Sequence, residues 1–363
     1  MKNKKRVLVG MSGGVDSSVA AYLLKEQGYE VIGITLKLFG DKNCQIIDDN
    51  SERDFKASRD AKKVADLLGI EFKEINLENA FKNKVIDYFV EEYLQGRTPN
   101  PCIVCNKYIK FGELMKIAFD LEADYIATGH YANIEFDRIL EKYVLKKALD
   151  LSKDQTYALY NLKQDQLANI IFPLGNYKKE EIRTIAKKLA LPVASKPDSQ
   201  EICFISDNNY GKYIEENTKG NILPGEFRDI KGKLLGYHKG IIYYTIGQRR
   251  GLGISADKPL YVVDINPEDN VVVVGYGEDV LDDELISYNN NLIFLDKLDS
   301  EMRIKAKIRY NAVEQDAVIK PYKNDGIIVK FDKPQRAITP GQSVVFYDKD
   351  IVIGGGVIDK IKK

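Results

Sequence analysis

The chain has 363 residues, of which 44% are hydrophobic and 30% are charged, and it contains no tryptophan. This composition excludes a disordered or fibrous protein and allows two or three domains. The 54 basic residues balance the 54 acidic ones, so nucleic acid binding would require a local basic surface. No apolar run approaches the roughly 20 residues of a membrane helix, and the N-terminus lacks a signal-peptide pattern. We therefore expect a cytoplasmic protein with no membrane partner.

The N-terminal half alternates short β-branched runs with longer helical patterns. The predicted strands are Arg6–Met11, Val31–Leu38, Glu71–Ile75 and Tyr125–Thr128. The predicted helices are Ser17–Gln27, Arg59–Leu68, Phe81–Gln95 and Lys110–Leu121. Alternation of this kind predicts an α/β domain with a parallel sheet, which we place at residues 1–205.

The pattern changes after about Ser206, where glycines become frequent and helical periodicity becomes scarce. Short strands are predicted at Ile241–Thr245, Leu260–Asp264, Val271–Gly275, Arg303–Tyr310, Ala317–Lys320, Gly326–Phe331, Ser343–Asp348 and Ile351–Ile358. Strands at this spacing are typical of small barrels or sandwiches. We predict a small mixed central domain at residues 206–280 and a C-terminal β-barrel at residues 281–363.

A glycine-rich segment, Ser12–Ser18, separates the first predicted strand from the first helix. Glycines allow a tight turn and close approach to an anion, and the backbone N–H groups of a helix N-terminus favour negative charge. The segment lacks the Gly-Lys-Ser/Thr of a Walker A loop. The simpler interpretation is a turn whose Asp and Ser only cap the helix.

This segment resembles the pyrophosphate loop of the ATP pyrophosphatase superfamily, whose members cleave ATP between the α and β phosphates. The resemblance implies an adenine nucleotide α-hydrolase-like fold and binding of ATP with Mg²⁺. The nucleotide-binding residues that it implies are Gly10, Met11, Ser12, Gly13, Gly14, Val15, Asp16 and Ser17, and Asp16 is also an expected catalytic residue. Two further candidates, Leu36 and Gly129, lie at the ends of predicted strands, where a parallel sheet binds ligands.

Three cysteines stand in distinctive surroundings. Cys102 and Cys105 form a C-x-x-C after two prolines, and Cys203 lies far along the chain. Such a pair fits a redox site, half of a metal site or two buried thiols. We expect the start of the following helix to lower a thiol pKa. Cys44, in a polar loop, is interpreted as incidental.

Several motifs occur in the order of the tRNA-specific 2-thiouridylase family. One is the glycine-rich segment Ser12–Ser18, which we call the phosphate loop. The others are Asn100–Asn106, Ala127–His130, Ser152–Gln155, Asp198–Phe204, Tyr244–Gly253 and Gln335–Gln342. The resemblance implies adenylation of O2 of the wobble uridine (position 34) in tRNA, with Lys, Glu and Gln tRNAs as the expected acceptors. It further implies that Cys203 receives sulfur as a persulfide from a cysteine desulfurase or relay protein. Cys105 would act as partner nucleophile, and a disulfide with Cys203 would remain after transfer.

Cys102 departs from the family pattern, in which many members have Asp at this position. Cys102, Cys105 and Cys203 together could hold a [4Fe–4S] cluster with one iron left open to bind sulfur. Persulfide relay and cluster chemistry therefore both stay open.

The resemblance also implies a set of tRNA contacts: Asn100, Pro101, Cys102, His130, Lys153, Asp154, Gln155, Arg309, Tyr310 and Gln342. The strand that begins at Arg303 independently favours RNA, since Arg303, Lys305, Lys307 and Arg309 alternate with apolar residues. Four like charges on one face repel one another, and a phosphate backbone would relieve this.

Two other functions remain as alternatives. One is another AMP-forming ligase of the pyrophosphatase-loop superfamily, and the other is an RNA-binding protein with a vestigial nucleotide loop. The C-terminal β domain and the three cysteines argue against the ligase, and the intact loop with Asp16 and Ser17 argues against the vestigial loop.

Overall fold

The computed structural model describes residues 4–39, 49–198, 202–205, 207 and 209–359, with side chains from residue 56 onward in the second of these ranges. Cys44 lies outside the described residues, as do three residues of the motif that precedes Cys203. Within the described part of the chain, no helix is long and apolar enough to cross a membrane.

Seventeen strands are present in the described residues. In chain order they are β1 Arg6–Gly10, β2 Glu30–Lys37, β3 Glu71–Asn76, β4 Tyr125–Thr128, β5 Asn133–Asp137, β6 Lys142–Lys146, β7 Ile170–Ile171, β8 Gly225–Asp229, β9 Leu234–His238, β10 Tyr261–Asn266, β11 Val271–Gly275, β12 Leu281–Leu292, β13 Met302–Lys307, β14 Gln315–Tyr322, β15 Gly326–Arg336, β16 Ser343–Asp348 and β17 Ile351–Asp359.

The helices are concentrated before residue 218. They are α1 Val15–Glu26, α2 Asp49–Leu68, α3 Glu78–Phe81, α4 Asp87–Leu94, α5 Pro101–Cys105, α6 Leu114–Asp120, α7 Gln164–Leu167, α8 Lys179–Lys188 and α9 Tyr210–Asn217. π-Helical segments occupy Lys82–Ile86 and Asn106–Glu113, and short 3₁₀ helices occupy Thr156–Ala158 and Ile241–Tyr243.

The chain divides into two compact units. The first comprises Met1–Val85, Cys102–Ser206 and Asp350–Val352, and the second comprises Ile86–Pro101, Asp207–Lys349 and Ile353–Lys363.

The first unit is built on a parallel sheet in the order β3-β2-β1-β4-β7. The sheet buries β1 almost completely, as expected for a central parallel strand. Helix α1 packs Val19 and Leu24 into a core that also contains Ile182 of α8. The predicted α/β fold with a parallel sheet is confirmed.

The second unit contains two β structures. Strands β10-β11-β8-β9 form a four-stranded sheet, in which only the β11–β8 pair is parallel. The strands β12-β15-β14-β13-β16-β17 follow one another, and antiparallel pairing between β12 and β17 closes them into a barrel. Ile304 and Ala306 are buried while Arg303 and Lys305 are exposed, so β13 shows the predicted alternation. The predicted mixed central part and C-terminal β-barrel are confirmed.

Three local predictions were wrong or incomplete. Residues Ile241–Thr245, predicted as a strand, begin with a 3₁₀ helix, because Gly240 has a φ of 144° and its carbonyl accepts the N–H of Tyr243 locally. The predicted helix Lys110–Leu121 begins earlier, in the π-helical segment Asn106–Glu113. The β5–β6 hairpin was missed because Lys142–Lys146 is short and only two of its five residues are buried.

Candidate active site

The glycine-rich loop lies between β1 and α1, as predicted. Gly13 has a φ of +66°, and a Cβ atom added there would lie 2.3 Å from the Ala57 carbonyl oxygen, so both the backbone and the space require glycine. The Ser17 hydroxyl accepts a 3.2 Å hydrogen bond from the Ser12 N–H. Helix α1 begins at Val15 with no side chain capping its N-terminus. Its first N–H groups are thus available to an anion, whereas a structural cap would occupy them.

Strand register brings the other nucleotide candidates to the same edge of the sheet. Gly10 pairs with Ile34 of β2 on one side and with Thr128 of β4 on the other, so β1 and β4 end together while β2 continues to Lys37. The chain order reverses across β1 and β4, which is the position where open α/β sheets bind ligands. Leu36 lies two residues further along β2 and is half-buried.

Gly129 follows β4 directly and packs against the start of α1. A Cβ atom at this position would lie 2.7 Å from the Ser17 nitrogen and 2.8 Å from the Asp16 carbonyl carbon. Any larger residue would push the helix start away, so Gly129 sets the distance between β4 and the phosphate loop. Met11 and Val15, on either side of the glycines, are buried and pack in the protein core.

Asp16 is held by residues that the sequence analysis did not select. Lys179 places its Nζ atom 2.7 Å from both carboxylate oxygens of Asp16, and the Tyr131 hydroxyl donates a 2.9 Å hydrogen bond to one of them. The same Nζ atom lies 2.8 Å from Asp198, and the Lys179 side chain is only 9% exposed. In sequence, Lys179 belongs to a Lys-Lys-Glu-Glu run that looks like an ordinary solvated helix start.

Asp198 forms ion pairs with three basic side chains and lies five residues before Cys203. Arg183 and Lys153 each approach its carboxylate to 2.8 Å, in addition to Lys179. Burial raises the pKa of Asp198, but the hydrogen bonds from Lys153 and Lys179 outweigh burial and lower that pKa to about 2. A connected charge network therefore runs from the phosphate loop to the segment that leads towards Cys203.

A further lysine ties that segment to the loop. Lys196 donates a 2.8 Å hydrogen bond to the Gly13 carbonyl oxygen and lies 2.7 Å from an Asp60 carboxylate oxygen. A carbonyl dipole in an anion-binding loop opposes anion binding, and a lysine bound to it reduces that opposition.

The cysteines differ in their environments. Cys102 and Cys203 are exposed, Cys105 is buried, and none of these three forms a disulfide. Burial raises the pKa of the Cys105 thiol to about 11, although the nearby positive charge of Lys110 lowers it in part. The expectation of a thiol activated by a helix start was wrong for Cys105, because this residue ends α5 and the chain continues as a π-helix.

A metal centre at the cysteines was tested by their arrangement. Among the described residues no group of three or more His, Cys, Asp or Glu side chains could hold a metal ion. In the described part of the chain, Cys102, Cys105 and Cys203 are therefore not brought together as a three-ligand site.

The Ser152–Gln155 segment uses most of its polar groups internally. Asp154 accepts hydrogen bonds from the Ala148 N–H at 3.0 Å and from the Thr156 hydroxyl at 2.6 Å, and Gln155 accepts the Tyr131 N–H at 2.9 Å. Lys153 remains half-buried against Asp198. These contacts shape the loop, and any RNA contact there would replace or supplement them.

His130 does not present its side chain to solvent. Its ring packs between Phe111 and Phe172, and its Nδ1 atom lies 2.7 Å from the Thr128 hydroxyl. Burial, together with the Lys110 charge, lowers the pKa of His130 well below its usual value. The imidazole is therefore a buried packing group in this structure, and its contact with RNA stays a prediction.

In the second unit, the segment before Asn100 is fixed from several directions. The Gln342 side chain donates to the Thr98 carbonyl oxygen at 2.8 Å, and the Thr98 N–H donates to the Pro340 carbonyl at 2.9 Å. Gly341 has a φ of +90°, and a Cβ atom there would lie 2.9 Å from the Thr98 nitrogen. Gln342 thus has a positioning role that its motif did not reveal.

The basic face of β13 is largely neutralised within the chain. Arg303 pairs with Asp332, and Lys305 lies 3.0 Å from Asp316, so the argument from unpaired like charges was wrong for these two residues. Arg309 lies beyond the end of β13 and donates to the Ala337 carbonyl oxygen at 3.0 Å. Tyr310 is 41% exposed, which leaves much of its ring at the surface.

Family models match almost the whole chain. They are the tRNA methyl transferase HUP domain at residues 5–207, the tRNA methyl transferase PRC-barrel domain at residues 211–276 and the aminomethyltransferase β-barrel domain at residues 283–358. Two relatives named tRNA-specific 2-thiouridylase match over their full length. That of Thermoanaerobacter sp. (strain X514) is 64% identical over 99% of both chains, and that of Clostridioides difficile (strain 630) is 53% identical over 98% of both.

The chain belongs to the tRNA-specific 2-thiouridylase family. The family prediction made from the motifs is confirmed. A solved complex of a 4-thiouridine synthetase with RNA and ATP is similar over 58% of this chain and 50% of its own, at 16% identity and with a TM-score of 0.36. In this thiouridylase family member, three residues outside the motifs contact the loop or Asp16, namely Lys179, Tyr131 and Lys196, and Lys179 also contacts Asp198 at the start of the motif that contains Cys203.

Proposed function

We propose that this protein is an ATP-dependent tRNA-uridine 2-sulfurtransferase that thiolates the wobble uridine. The observation that carries the proposal is the phosphate loop at the β1/β4 edge, in which helix α1 begins without a side-chain cap and Asp16 is fixed by Lys179. Membership of the thiouridylase family and the position of Cys203 beyond the Asp198 network support the same activity. Neither family membership nor the position of Cys203 favours another AMP-forming ligase.

The first half-reaction is adenylation. ATP would enter as its Mg²⁺ complex, and Mg²⁺ would supply charge neutralisation at the phosphates. The α1 N–H groups and Ser17 bind the phosphates, while the backbone near Leu36 and Gly129 contacts the adenine and ribose. The uridine O2 attacks the α phosphorus and pyrophosphate leaves, so that a poor leaving group becomes AMP.

The second half-reaction transfers sulfur. Cys203, loaded as a persulfide by a cysteine desulfurase or relay protein, attacks C2 of the uridine with its terminal sulfur, and AMP leaves with the former O2. Cys105 then attacks the Cys203 sulfur, which releases the thiocarbonyl and leaves a Cys105–Cys203 disulfide. A thiol reductant resets the pair with two electrons. Exposure of Cys203 suits sulfur loading, and burial of Cys105 keeps it protonated until the base is bound.

The remaining assignments are part of the same proposal. Asn100, Pro101 and Cys102 lie against the target base, and Arg309, Tyr310 and Lys153 contact tRNA. The acceptors are tRNAs for Lys, Glu and Gln, and the reaction takes place in the cytoplasm. Residues 1–205 carry catalysis, residues 206–280 contact tRNA and residues 281–363 form the barrel domain.

The test is anaerobic incubation with Mg-ATP, unmodified tRNA and sulfide, with and without added iron, followed by mass spectrometry of nucleosides. Sulfide cannot form a persulfide without an oxidant, so the persulfide route is supported if 2-thiouridine forms without iron when a desulfurase and cysteine supply the sulfur. If 2-thiouridine forms only with iron, the proposed activity stands, and an iron–sulfur cluster replaces the persulfide route. If no thiolated nucleoside forms, even with a desulfurase and cysteine, the proposed function fails.

A further inference from the structure

A loop with two arginines connects the 3₁₀ helix Ile241–Tyr243 to β10 and lies within residues 206–280, for which tRNA contact is proposed without any individual residue being assigned. We call residues 245–253 the arginine loop. Gly247, Gly251 and Gly253 have φ angles of +85°, +77° and +68°, which only glycine adopts readily. Three such glycines within seven residues indicate a shape that the backbone itself specifies.

Hydrogen bonds hold this shape from both ends. The Gly247 N–H donates to the Val262 carbonyl at 2.8 Å, and the Val262 N–H donates to the Gln248 carbonyl at 3.0 Å. The Gln248 side chain accepts the Thr245 N–H and donates to the Arg250 carbonyl, each at 3.0 Å. These hydrogen bonds connect the loop to β10 and stabilise its own turn. Little conformational entropy is therefore lost when a ligand binds to it.

Arg249 and Arg250, at the tip of the loop, are exposed and have no carboxylate partner among the described residues. In this they differ from Arg303 and Lys305, whose charges are matched by Asp332 and Asp316. Two adjacent guanidinium groups on a braced backbone repel each other unless anions lie between or beside them. A guanidinium offers paired N–H donors that match the oxygens of a phosphate.

The arginine loop adjoins two predicted tRNA contacts in the same unit. Thr245, at its start, shares a 3.3 Å hydrogen bond with the Thr98 hydroxyl, two residues before Asn100. Gly247 packs so closely on Ala337 that an added Cβ atom would lie 2.6 Å from the Ala337 Cβ, and the carbonyl of Ala337 accepts from Arg309. Segments distant in sequence thus meet at this loop.

We propose that Arg249 and Arg250 bind phosphates of the RNA backbone beside the target nucleotide, and that the braced loop sets their distance from Asn100. This inference rests on the proposed function, because it takes tRNA as the substrate. The ligand class is the phosphodiester of a folded RNA strand. Both anchors of the loop lead to predicted RNA contacts and neither carries a cysteine, which favours RNA over an acidic protein that delivers sulfur.

The test measures binding of full-length unmodified tRNA to the whole protein over a range of salt concentrations, without ATP or a sulfur source. For R249Q/R250Q we expect affinity to fall about 10- to 100-fold at low salt, and the slope of log Kd against log salt to decrease in magnitude by roughly 1 to 2. R249K/R250K keeps the charge and should retain the slope while losing part of the affinity. In thiolation assays, R249Q/R250Q should raise KM for tRNA more than it lowers kcat.

The matched control is R303Q/K305Q, which removes the same charge from the same unit at residues already paired with carboxylates. We expect its effect on affinity to be within about threefold, since exposed ion pairs contribute little. Wild-type affinity and slope in R249Q/R250Q, or a loss equal to that of the control, would overturn the inference. A second outcome would also overturn it: R249Q/R250Q binds tRNA normally but fails to thiolate only when a donor protein supplies the sulfur. The loop would then bind that protein and not the RNA. The binding assay requires no catalytic turnover. A wild-type protein that binds tRNA but does not thiolate it would therefore refute the proposed function and leave the inference about tRNA binding intact.

Discussion

Lys179 and Asp16 form a two-pronged ion pair, in which one Nζ atom lies 2.7 Å from both carboxylate oxygens. The two residues stand at the starts of α8 and α1. The same Nζ atom reaches Asp198, so a single buried cation balances a carboxylate at the phosphate loop and another on the way to Cys203. Removing this cation would leave two carboxylates facing each other.

We expect Lys179→Met to lower the rate of tRNA-dependent pyrophosphate release at least about tenfold, because Asp16 loses its orientation. The free energy of unfolding should fall by about 1–3 kcal/mol, less than for a fully buried pair because both carboxylates are partly exposed. Pyrophosphate release and urea unfolding measure the two effects. Lys178→Met is the control, since Lys178 is exposed and adjacent. Equal rates in the two variants would remove Lys179 from the site.

The sequence predicted where the glycine-rich loop lies in the fold, because a turn between a strand and a helix depends on local chain geometry. A strand, a glycine turn and a helix start are consecutive in the chain, so Ser12–Ser17 could be recognised together. Gly129 could be recognised because a glycine directly after a strand suits close backbone approach. Lys179 could not, because its partners lie 163 and 19 residues away and only tertiary folding brings them together.

The second unit shows the opposite kind of error. Alternation along β13 correctly predicted which side chains face solvent, but not that Asp332 and Asp316 on neighbouring strands neutralise two of them. Strand pairing is not readable from a single strand. The burial of His130 could not be predicted for a similar reason, since a histidine after a glycine gives no local sign that Phe111 and Phe172 pack against it.

Lys110 should control how easily Cys105 ionises. Its positive charge lowers the pKa of a thiol that burial has raised to about 11, so Lys110→Met should raise that pKa further. Iodoacetamide labelling of Cys105, followed by peptide mass spectrometry across pH, should shift to higher pH in the variant. Lys107→Met, on the same helical segment, serves as the control and should label like the wild type. A wild-type labelling profile in Lys110→Met would contradict the electrostatic link.

Gln342 should act through the backbone before Asn100. Gln342→Leu removes hydrogen bonds to the Thr98 and Pro99 carbonyl oxygens, at 2.8 and 3.4 Å. We expect kcat/KM for tRNA to fall about 5- to 50-fold, with a loss of about 1 kcal/mol in unfolding free energy. Gln335→Leu removes only a local hydrogen bond to the Lys333 carbonyl and is the control. A large loss of ATP affinity in Gln342→Leu would show that its role lies elsewhere.

Buried histidines should make the fold sensitive to mild acid. The pKa of His130 is lowered in the folded state, so between that pKa and about 6.5 the unfolded chain binds a proton that the folded chain does not. The free energy of unfolding is therefore highest above about pH 6.5. It falls as the pH drops, by up to about 1.4 kcal/mol per pH unit for each such histidine. Urea unfolding at several pH values should show a shallower fall in His130→Leu. Burial also lowers the pKa of His238, so that residue should retain its share. An unchanged pH dependence in His130→Leu would contradict the prediction.

Separate substitution of the cysteines should divide the reaction into its two halves. Cys203→Ala should abolish 2-thiouridine formation while tRNA-dependent pyrophosphate release continues, because Asp16 and the phosphate loop remain intact. Cys105→Ala should adenylate and then stall with tRNA attached to Cys203 through a disulfide, which a small thiol would release as thiolated tRNA. Cys102→Asp is the comparison variant and should still form 2-thiouridine on the persulfide route, because Cys102 carries no sulfur there. A cluster mechanism predicts the opposite, since loss of Cys102 would then be as severe as loss of Cys105, and the comparison of these two variants decides between the routes.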